Sequence, residues 1–265
     1  MEPPAGEAGE ASRALSFGAV AADYERFRPG YPEGLVDEVL AYAATPVSTA
    51  LEIGAGTGKA TRVFAARGIA VTATDPDVAM LDELRHHVPA TVSTVQAAFE
   101  DVPLSDTYDL VYAAASLHWT QPEHRWSRVA ALLGPGGVFA SFGGPLDLQE
   151  PAAAEAVSAV ASRFGLDDGF PSPDGTPAGS AMLWPGTELS ASVLFTDVRQ
   201  VQIVRRVEMS ADDYVSHLGT VSAYLQLPAT VRGRVFDDVR AVLPERVTLN
   251  ADLTLHLARA ASAVQ

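Results

Sequence analysis

Three glycines at alternate positions constrain this chain more than any other feature. Gly54, Gly56 and Gly58 lie in LEIGAGTGKATR, directly after the short apolar run Thr49 to Ile53 and before a helix-patterned segment through Val63 and Ala66. With no side chains at these positions the backbone can turn tightly and approach a ligand closely. Gly68 closes the helix, and a second apolar run from Ile69 to Thr74 completes one βαβ unit. Two parallel strands joined by a helix belong to a sheet covered on both faces.

The same rhythm extends in both directions. Leu35, Val36, Val39, Leu40 and Tyr42 recur at helical spacing between Pro32 and Ala44, so a helix precedes the first strand. Beyond the βαβ unit come a helix at Val78 to His87, strands at Thr91 to Gln96 and Tyr108 to Ala113, a helix at Arg125 to Leu133 and a strand at Gly137 to Phe142. The alternation predicts an α/β fold, a doubly wound, mostly parallel sheet of seven strands with helical lid elements. After Pro145 the pattern changes to a helix from Ala152 to Arg163, a loop or lid FPSPDGTPAGSAMLWPG and one β-like run from Arg199 to Glu208. Ser210 is placed to cap a helix through Tyr214 and Leu218, another helix spans Ala229 to Leu243, and LTLHLARA closes the chain as a strand. Residues 1–14, acidic and rich in Gly, Ala and Pro, read as a flexible tail before a single domain at 15–265.

Composition narrows the function. The chain has 265 residues, of which 48% are hydrophobic, enough for one sizeable core. No apolar stretch approaches the roughly 18 to 20 residues that cross a bilayer, and MEPPAGEAGE lacks the basic and apolar regions of a signal peptide, so a cytoplasmic protein without a membrane partner is expected. A net charge of −15 argues against a nucleic-acid partner, because phosphates are held mainly by Lys and Arg. Without cysteine there is neither a thiolate nucleophile nor a cysteine-ligated metal. Lys59, the only lysine, reads as compositional bias. The adjacent His86 and His87 would point about 100° apart on a helix and imply no metal site.

Two carboxylates frame the glycine turn. Asp75 stands 21 residues after Gly54, at the end of the second strand, where a carboxylate can accept hydrogen bonds from the ribose hydroxyls of an adenosine. Glu52 ends the first strand, where it would repel a pyrophosphate but not an ammonium group. Position 59 is Lys, where a dinucleotide fingerprint has its third glycine.

Glu52 with Gly54, Gly56 and Gly58, Asp75, and YDLVYAAASLHW as the fourth strand together resemble the class I S-adenosylmethionine-dependent methyltransferases. FGAVAADYERFRPGYP, SLHW, GPGGVFA and LGTVSAY are similar to the subgroup that includes trans-aconitate methyltransferase, so the resemblance runs from about Phe17 to the C-terminus. It implies S-adenosyl-L-methionine as cofactor and S-adenosyl-L-homocysteine as product. By position it places Glu52, Gly54, Ala55 and Gly56 around the methionine and ribose, Asp75 on the ribose, Pro76 and Met80 beside the adenine, and Ala98, Phe99 and Glu100 in the adenine pocket. Where many relatives have a polar residue after the fourth strand, this chain has Ala113, Ala114 and Ala115, so any contact there uses backbone or shape.

The acceptor side is read from the same resemblance. Tyr24, Arg28 and Tyr31 fall in an N-terminal lid (15–45), and a cap (about 146–195 and 210–245) covers an acceptor pocket roofed by Trp184, Tyr224 and the region of His217, Thr220 and Ser222. His118 is the candidate general base and Trp119 a pocket wall, each weighed against a packed helix start. The expected reaction is in-line methyl transfer to a small-molecule acceptor (carboxylate, hydroxyl or amine) by a monomer or homodimer. The alternatives are a nicotinamide-dependent oxidoreductase and a non-methylating cofactor-binding protein on the same fold.

Overall fold

The computed structural model describes residues 16–166 and 172–261, and the tail expected at 1–14 lies outside them. The described residues form ten strands: β1 (Thr49–Ile53), β2 (Ala70–Asp75), β3 (Ser93–Gln96), β4 (Tyr108–Ala114), β5 (Leu133–Gly143), β6 (Asp147–Leu148), β7 (Phe195–Ile203), β8 (Arg206–Ser210), β9 (Arg246–Asn250) and β10 (Leu253–Ala260). They belong to two compact units. The larger contains residues 30–143, 172–203 and 254–261, the smaller 16–29, 144–166 and 204–253.

The larger unit carries the expected sheet, seven strands in the order β3-β2-β1-β4-β5-β10-β7. Strands β1 to β5 run parallel and β10 is antiparallel to β5. The central strand β1 buries Ala50 to Ile53 without interruption, as a strand covered on both faces must. Its register, Ile53 opposite both Thr74 of β2 and Ala113 of β4, brings the carboxyl ends of three strands to one edge. Leu51, Ile53, Val111, Ala113, Phe139 and Leu189 share one apolar cluster. Tyr112, on the opposite face by strand alternation, stacks on Phe64 with ring centroids 4.3 Å apart. Asp77 caps the helix Val78–Arg85 by accepting the N–H of Ala79 at 2.9 Å.

The smaller unit pairs helices Ala21–Phe27, Pro151–Arg163, Ala211–Leu218 and Ala229–Val242 with an antiparallel sheet in the order β6-β9-β8. Val157, Val160, Leu218, Val239 and Leu249 form its core. Ser210 caps its helix as expected, its hydroxyl accepting the N–H of Asp213 at 3.0 Å.

The β-like run from Arg199 to Glu208 is corrected to two strands in two sheets, because the chain turns at Val204 and Arg205, where the Arg205 N–H donates to Asp252 Oδ1 at 2.7 Å and its carbonyl accepts from Ala251. The described part of the Gly/Pro-rich stretch, from Ser172, carries no helix or strand before its last residue, Gly186, which opens the helix Gly186–Ala191. The short strands β6 and β9 were not anticipated. The segment expected as a lid is divided between the units, with helix Ala21–Phe27 in the smaller and Glu33–Tyr42 in the larger. No helix among the described residues is long and apolar enough to cross a membrane.

Candidate functional site

The turn after β1 is built for close approach. Gly54 has φ +64°, and a Cβ there would lie 2.7 Å from Ser116 Cβ. Gly56 has φ +55° and sits over Met80, whose Cε would be 3.3 Å from an added Cβ. Left-handed backbone and crowding together admit only glycine at position 54 without strain. The Ala55 N–H donates to Thr74 O at 2.8 Å, and the Ser116 hydroxyl donates to Ile53 O, so the turn is fastened to β2 and to the segment after β4.

Asp75 fastens it again. Its Oδ2 accepts the Gly56 N–H at 2.9 Å and its Oδ1 the Asp77 N–H at 2.9 Å. Burial pushes the carboxyl up to about 6, against the pull of these two N–H groups towards the ionised form. A carboxylate oxygen has more than one acceptor site, so both remain able to receive hydroxyl donors. This clamp on Gly56 is a role that spacing alone did not reveal.

Glu52 is fully buried. Its Oε2 accepts the hydroxyls of Thr61 at 2.5 Å and Tyr112 at 2.8 Å, while Oε1 is buried with no hydrogen-bond partner. Burial pushes this carboxyl up to about 8, opposed by the two hydroxyls and assisted by the negative charge of Asp75. A buried acid with an orphaned oxygen beside a glycine turn fits a cationic or hydrogen-donating group of a ligand. Thr61 and Tyr112 were missed from sequence; the one signal was a tyrosine hydroxyl in a strand buried on both faces, which must find a partner.

Further candidates gather on the same edge. The Ala97 N–H donates to Asp75 O at 3.1 Å and Gln96 Nε2 to Pro76 O at 3.3 Å, so the ends of β2 and β3 meet. Ala98, Phe99 and Glu100 follow directly. Phe99 is buried, with the Arg128 guanidinium 5.5 Å from its ring and donating to its carbonyl at 3.1 Å, and Glu100 Oε1 accepts the Gln121 N–H at 2.8 Å. Ala114 ends β4, and Ala115, at φ +54°, donates its N–H to Phe142 O at 2.8 Å. His118 and Trp119 lie on the 3-10 turn Leu117–Trp119, rings 4.7 Å apart, His118 exposed and Trp119 half-buried.

The remaining candidates divide between the two units. Tyr31 packs edge-on to Phe142 at 5.0 Å in the larger unit. Trp184 packs against the apolar cluster of the same unit with the Arg125 guanidinium 5.4 Å from its ring, and its indole N–H is buried with no hydrogen-bond partner. Tyr24, Arg28 and Tyr224 belong to the smaller unit. Tyr224 is buried with its ring 5.8 Å from Phe236, and Arg28 stands over Tyr24 at 5.1 Å. His87 pairs with Glu83 at 2.8 Å, and the described residues contain no group of three or more potential metal ligands.

Comparison with known proteins gives this edge a context. Residues 51–141 match the family model of a methyltransferase domain. An uncharacterised methyltransferase of Mycobacterium tuberculosis is 44% identical over 124 residues, 46% of this chain and 49% of that protein. A trans-aconitate 2-methyltransferase of Variovorax paradoxus is 33% identical over 121 residues, 44% of each chain. The chain thus spans about half the length of these curated relatives. Among solved structures, the N-methyltransferase NodS from Bradyrhizobium japonicum, in complex with S-adenosyl-L-homocysteine, superposes with a TM-score of 0.50 at 16% identity, covering 93% of this chain and 98% of that one.

Proposed function

We propose, from the premise that this chain carries a methyltransferase domain of the class I, S-adenosylmethionine-dependent fold, that the protein binds S-adenosylmethionine at the carboxyl ends of β1, β2 and β4 and methylates a small-molecule acceptor. The observation that carries the reading is the buried Glu52, its Oε1 unpartnered, beside a glycine turn clamped by Asp75. A neighbouring cation would ionise this acid, and in that form it suits the cationic methionine portion of the cofactor and disfavours a pyrophosphate.

In this reading Glu52, Gly54, Ala55 and Gly56 hold the methionine and ribose, Asp75 accepts the ribose hydroxyls, and Pro76, Met80, Ala98, Phe99 and Glu100 surround the adenine. Ala114 and Ala115 offer backbone and shape only. When bound, the cofactor supplies a methyl group activated by its sulfonium. The chain contributes positioning, since the turn is fixed before any ligand arrives by the bonds of Ala55, Gly56 and Ser116. For a hydroxyl or amine acceptor, a ring nitrogen of His118 takes the proton that leaves; a carboxylate acceptor needs no such step. Trp119 walls the acceptor side, and Tyr31 and Trp184, in the same unit, are its further candidate contacts.

The test has two arms. S-adenosylhomocysteine should raise the midpoint of thermal unfolding in a concentration-dependent way, while NADH leaves it unchanged. Purified protein incubated with methyl-labelled cofactor and the small-molecule fraction of a cell extract should label an extractable compound. Protection by NADH alone would turn the reading towards an oxidoreductase, and cofactor binding without transfer to any acceptor would turn it towards a non-methylating binding protein.

A further inference from the structure

The three-stranded sheet of the smaller unit is incomplete along one side of its central strand. β9 pairs with β8 over its whole length, from Arg246 opposite Ser210 to Asn250 opposite Arg206. On the other side β6, two residues long, pairs with Leu249 and Asn250. The Gln149 N–H adds one bond to Thr248 O at 2.9 Å, and Pro151 then turns the chain into the helix Pro151–Arg163. Residues of an antiparallel strand turn their N–H and C=O groups alternately to one neighbour and the other. Thr248 faces the side of β6 and Glu245, whose carbonyl accepts the Ala211 N–H at 3.0 Å, faces the side of β8. Arg246 therefore turns its backbone to the side that β6 has left, and neither its N–H nor its carbonyl has a hydrogen-bond partner among the described residues.

A cleft of about 340 Å3 opens at this gap. Leu148, Glu150 and Ala153, from β6 and the helix start, line it together with Pro244, Arg246 and Val247, from β9 and the residues before it. Strand alternation turns Val247, 5% exposed, towards the core and the Arg246 side chain to the opposite, solvent face. The Glu208 carboxylate stands 3.6 Å from the Arg246 guanidinium with both side chains largely exposed, so this cation is loosely held. Open strand edges are ordinarily covered or blunted. This one offers a free backbone donor and acceptor, an apolar floor and a positive charge.

We propose that an extended segment of a partner protein adds a strand to β9 in this gap, antiparallel to it, with an Asp or Glu opposite Arg246 and small apolar residues on either side of that acid. The residue opposite Arg246 exchanges two backbone hydrogen bonds with it, and its side chain leaves the sheet on the face of the guanidinium. A carboxylate there makes a cross-strand ion pair. The flanking side chains point to the other face, where Leu148, Ala153 and Val247 receive apolar groups. Glu150, on the same cleft, disfavours a second acid. The surface uses no residue of the cofactor edge and holds whether or not the protein transfers methyl groups.

The probe is the capped peptide acetyl-Ala-Val-Glu-Val-Ala-amide, dye-labelled for fluorescence anisotropy against the full chain. The place of binding is read from the backbone amide signal of Arg246 in arginine-labelled protein, assigned by its absence in Arg246→Lys. The peptide should bind saturably, shift that signal and slow its exchange with solvent. Methylating the peptide nitrogen of the glutamate removes one backbone bond and blocks the approach, so binding should weaken roughly tenfold or more. Lys in place of the glutamate should weaken binding about threefold to fivefold, the range of an exposed ion pair. Arg246→Glu, exposed and checked by thermal melting to be folded, should reverse the order of the two peptides. Absent binding, binding that leaves the Arg246 signal unmoved, or equal binding of the N-methylated peptide overturns strand addition. Equal affinity for the Lys peptide overturns the acidic preference. An Arg246 signal that moves with protein concentration alone assigns the edge to a second copy of this chain and overturns the partner.

Discussion

Asp75 Oδ2 accepts the backbone N–H of Gly56 at 2.9 Å, so the acidic residue that ends β2 also shapes the turn that follows β1. Its other oxygen holds the N–H of Asp77 at the cap of helix Val78–Arg85. One carboxylate thus orders two loops, and any ligand hydroxyl it accepts meets a group already fixed in place.

Removing that carboxylate has two separable consequences. Asp75→Ala should weaken S-adenosylhomocysteine binding by roughly 1.5 to 3 kcal/mol, the range for hydrogen bonds to a charged group. It should also lower the unfolding midpoint, because two backbone N–H groups lose their acceptor. Asp75→Asn keeps one acceptor oxygen and should recover part of the stability but little of the affinity. Titration calorimetry beside thermal melts reads both; unchanged affinity in Asp75→Ala would remove this residue from the binding site.

Gly54 is predicted to be irreplaceable for two reasons that a double variant separates. Left-handed backbone costs a residue with a Cβ roughly 1 to 2 kcal/mol, and the added atom would also meet Ser116 Cβ at 2.7 Å. Gly54→Ala should therefore lose more than the conformational term in chemical denaturation. Combining it with Ser116→Gly removes the clash and leaves the backbone strain, so the pair should show a coupling of favourable sign. Strict additivity would mean that the crowding has no energetic effect.

The sheet was legible in sequence and parts of the site were not, for the same physical reason. β1 to β5 are announced by local runs and by the turn chemistry between them. The split of Arg199 to Glu208 into β7 and β8 depends on Asp252, 47 positions from Arg205, which no local pattern records. β9 has buried Val247 and Leu249 alternating with more exposed neighbours, but its five residues follow a helix closely and were absorbed into its surroundings. Likewise Glu52 was found by its place at the end of a strand, whereas its partner Tyr112 lies 60 positions away. The buried Nδ1 of His217, which has no hydrogen-bond partner, is a property of packing and has no signature in composition or spacing.

Glu52 should make ligand binding depend on pH. Its carboxyl stands near 8 in the fold, above the ordinary 4.5, so the protonated form is the one folding favours. The stability it contributes is complete below about 4.5 and is lost as pH rises through about 8. A cationic ligand beside it favours the ionised form, so binding releases a proton below pH 8. The affinity for S-adenosylhomocysteine should then rise by up to about tenfold per pH unit between roughly 6.5 and 8 and flatten above. Calorimetry in buffers of different ionisation enthalpy measures the released proton directly. Glu52→Gln should abolish both the slope and the release; a slope that persists in this variant assigns the proton to another group.

His118 separates two kinds of chemistry at the same edge. It lies on the turn after β4, exposed, with its ring 4.7 Å from Trp119. General-base catalysis is worth roughly 100-fold or more in rate, whereas a group that only shapes the acceptor wall acts mainly on KM. With the acceptor identified by labelling from cell extract, His118→Ala should lower kcat about 100-fold or more if a hydroxyl or amine is methylated. His118→Gln, which keeps much of the bulk against Trp119, should be equally slow in that case because it cannot take the proton. If instead His118→Gln retains kcat within a few-fold and only KM rises in His118→Ala, the residue positions an acceptor that arrives already ionised, and the base role is excluded.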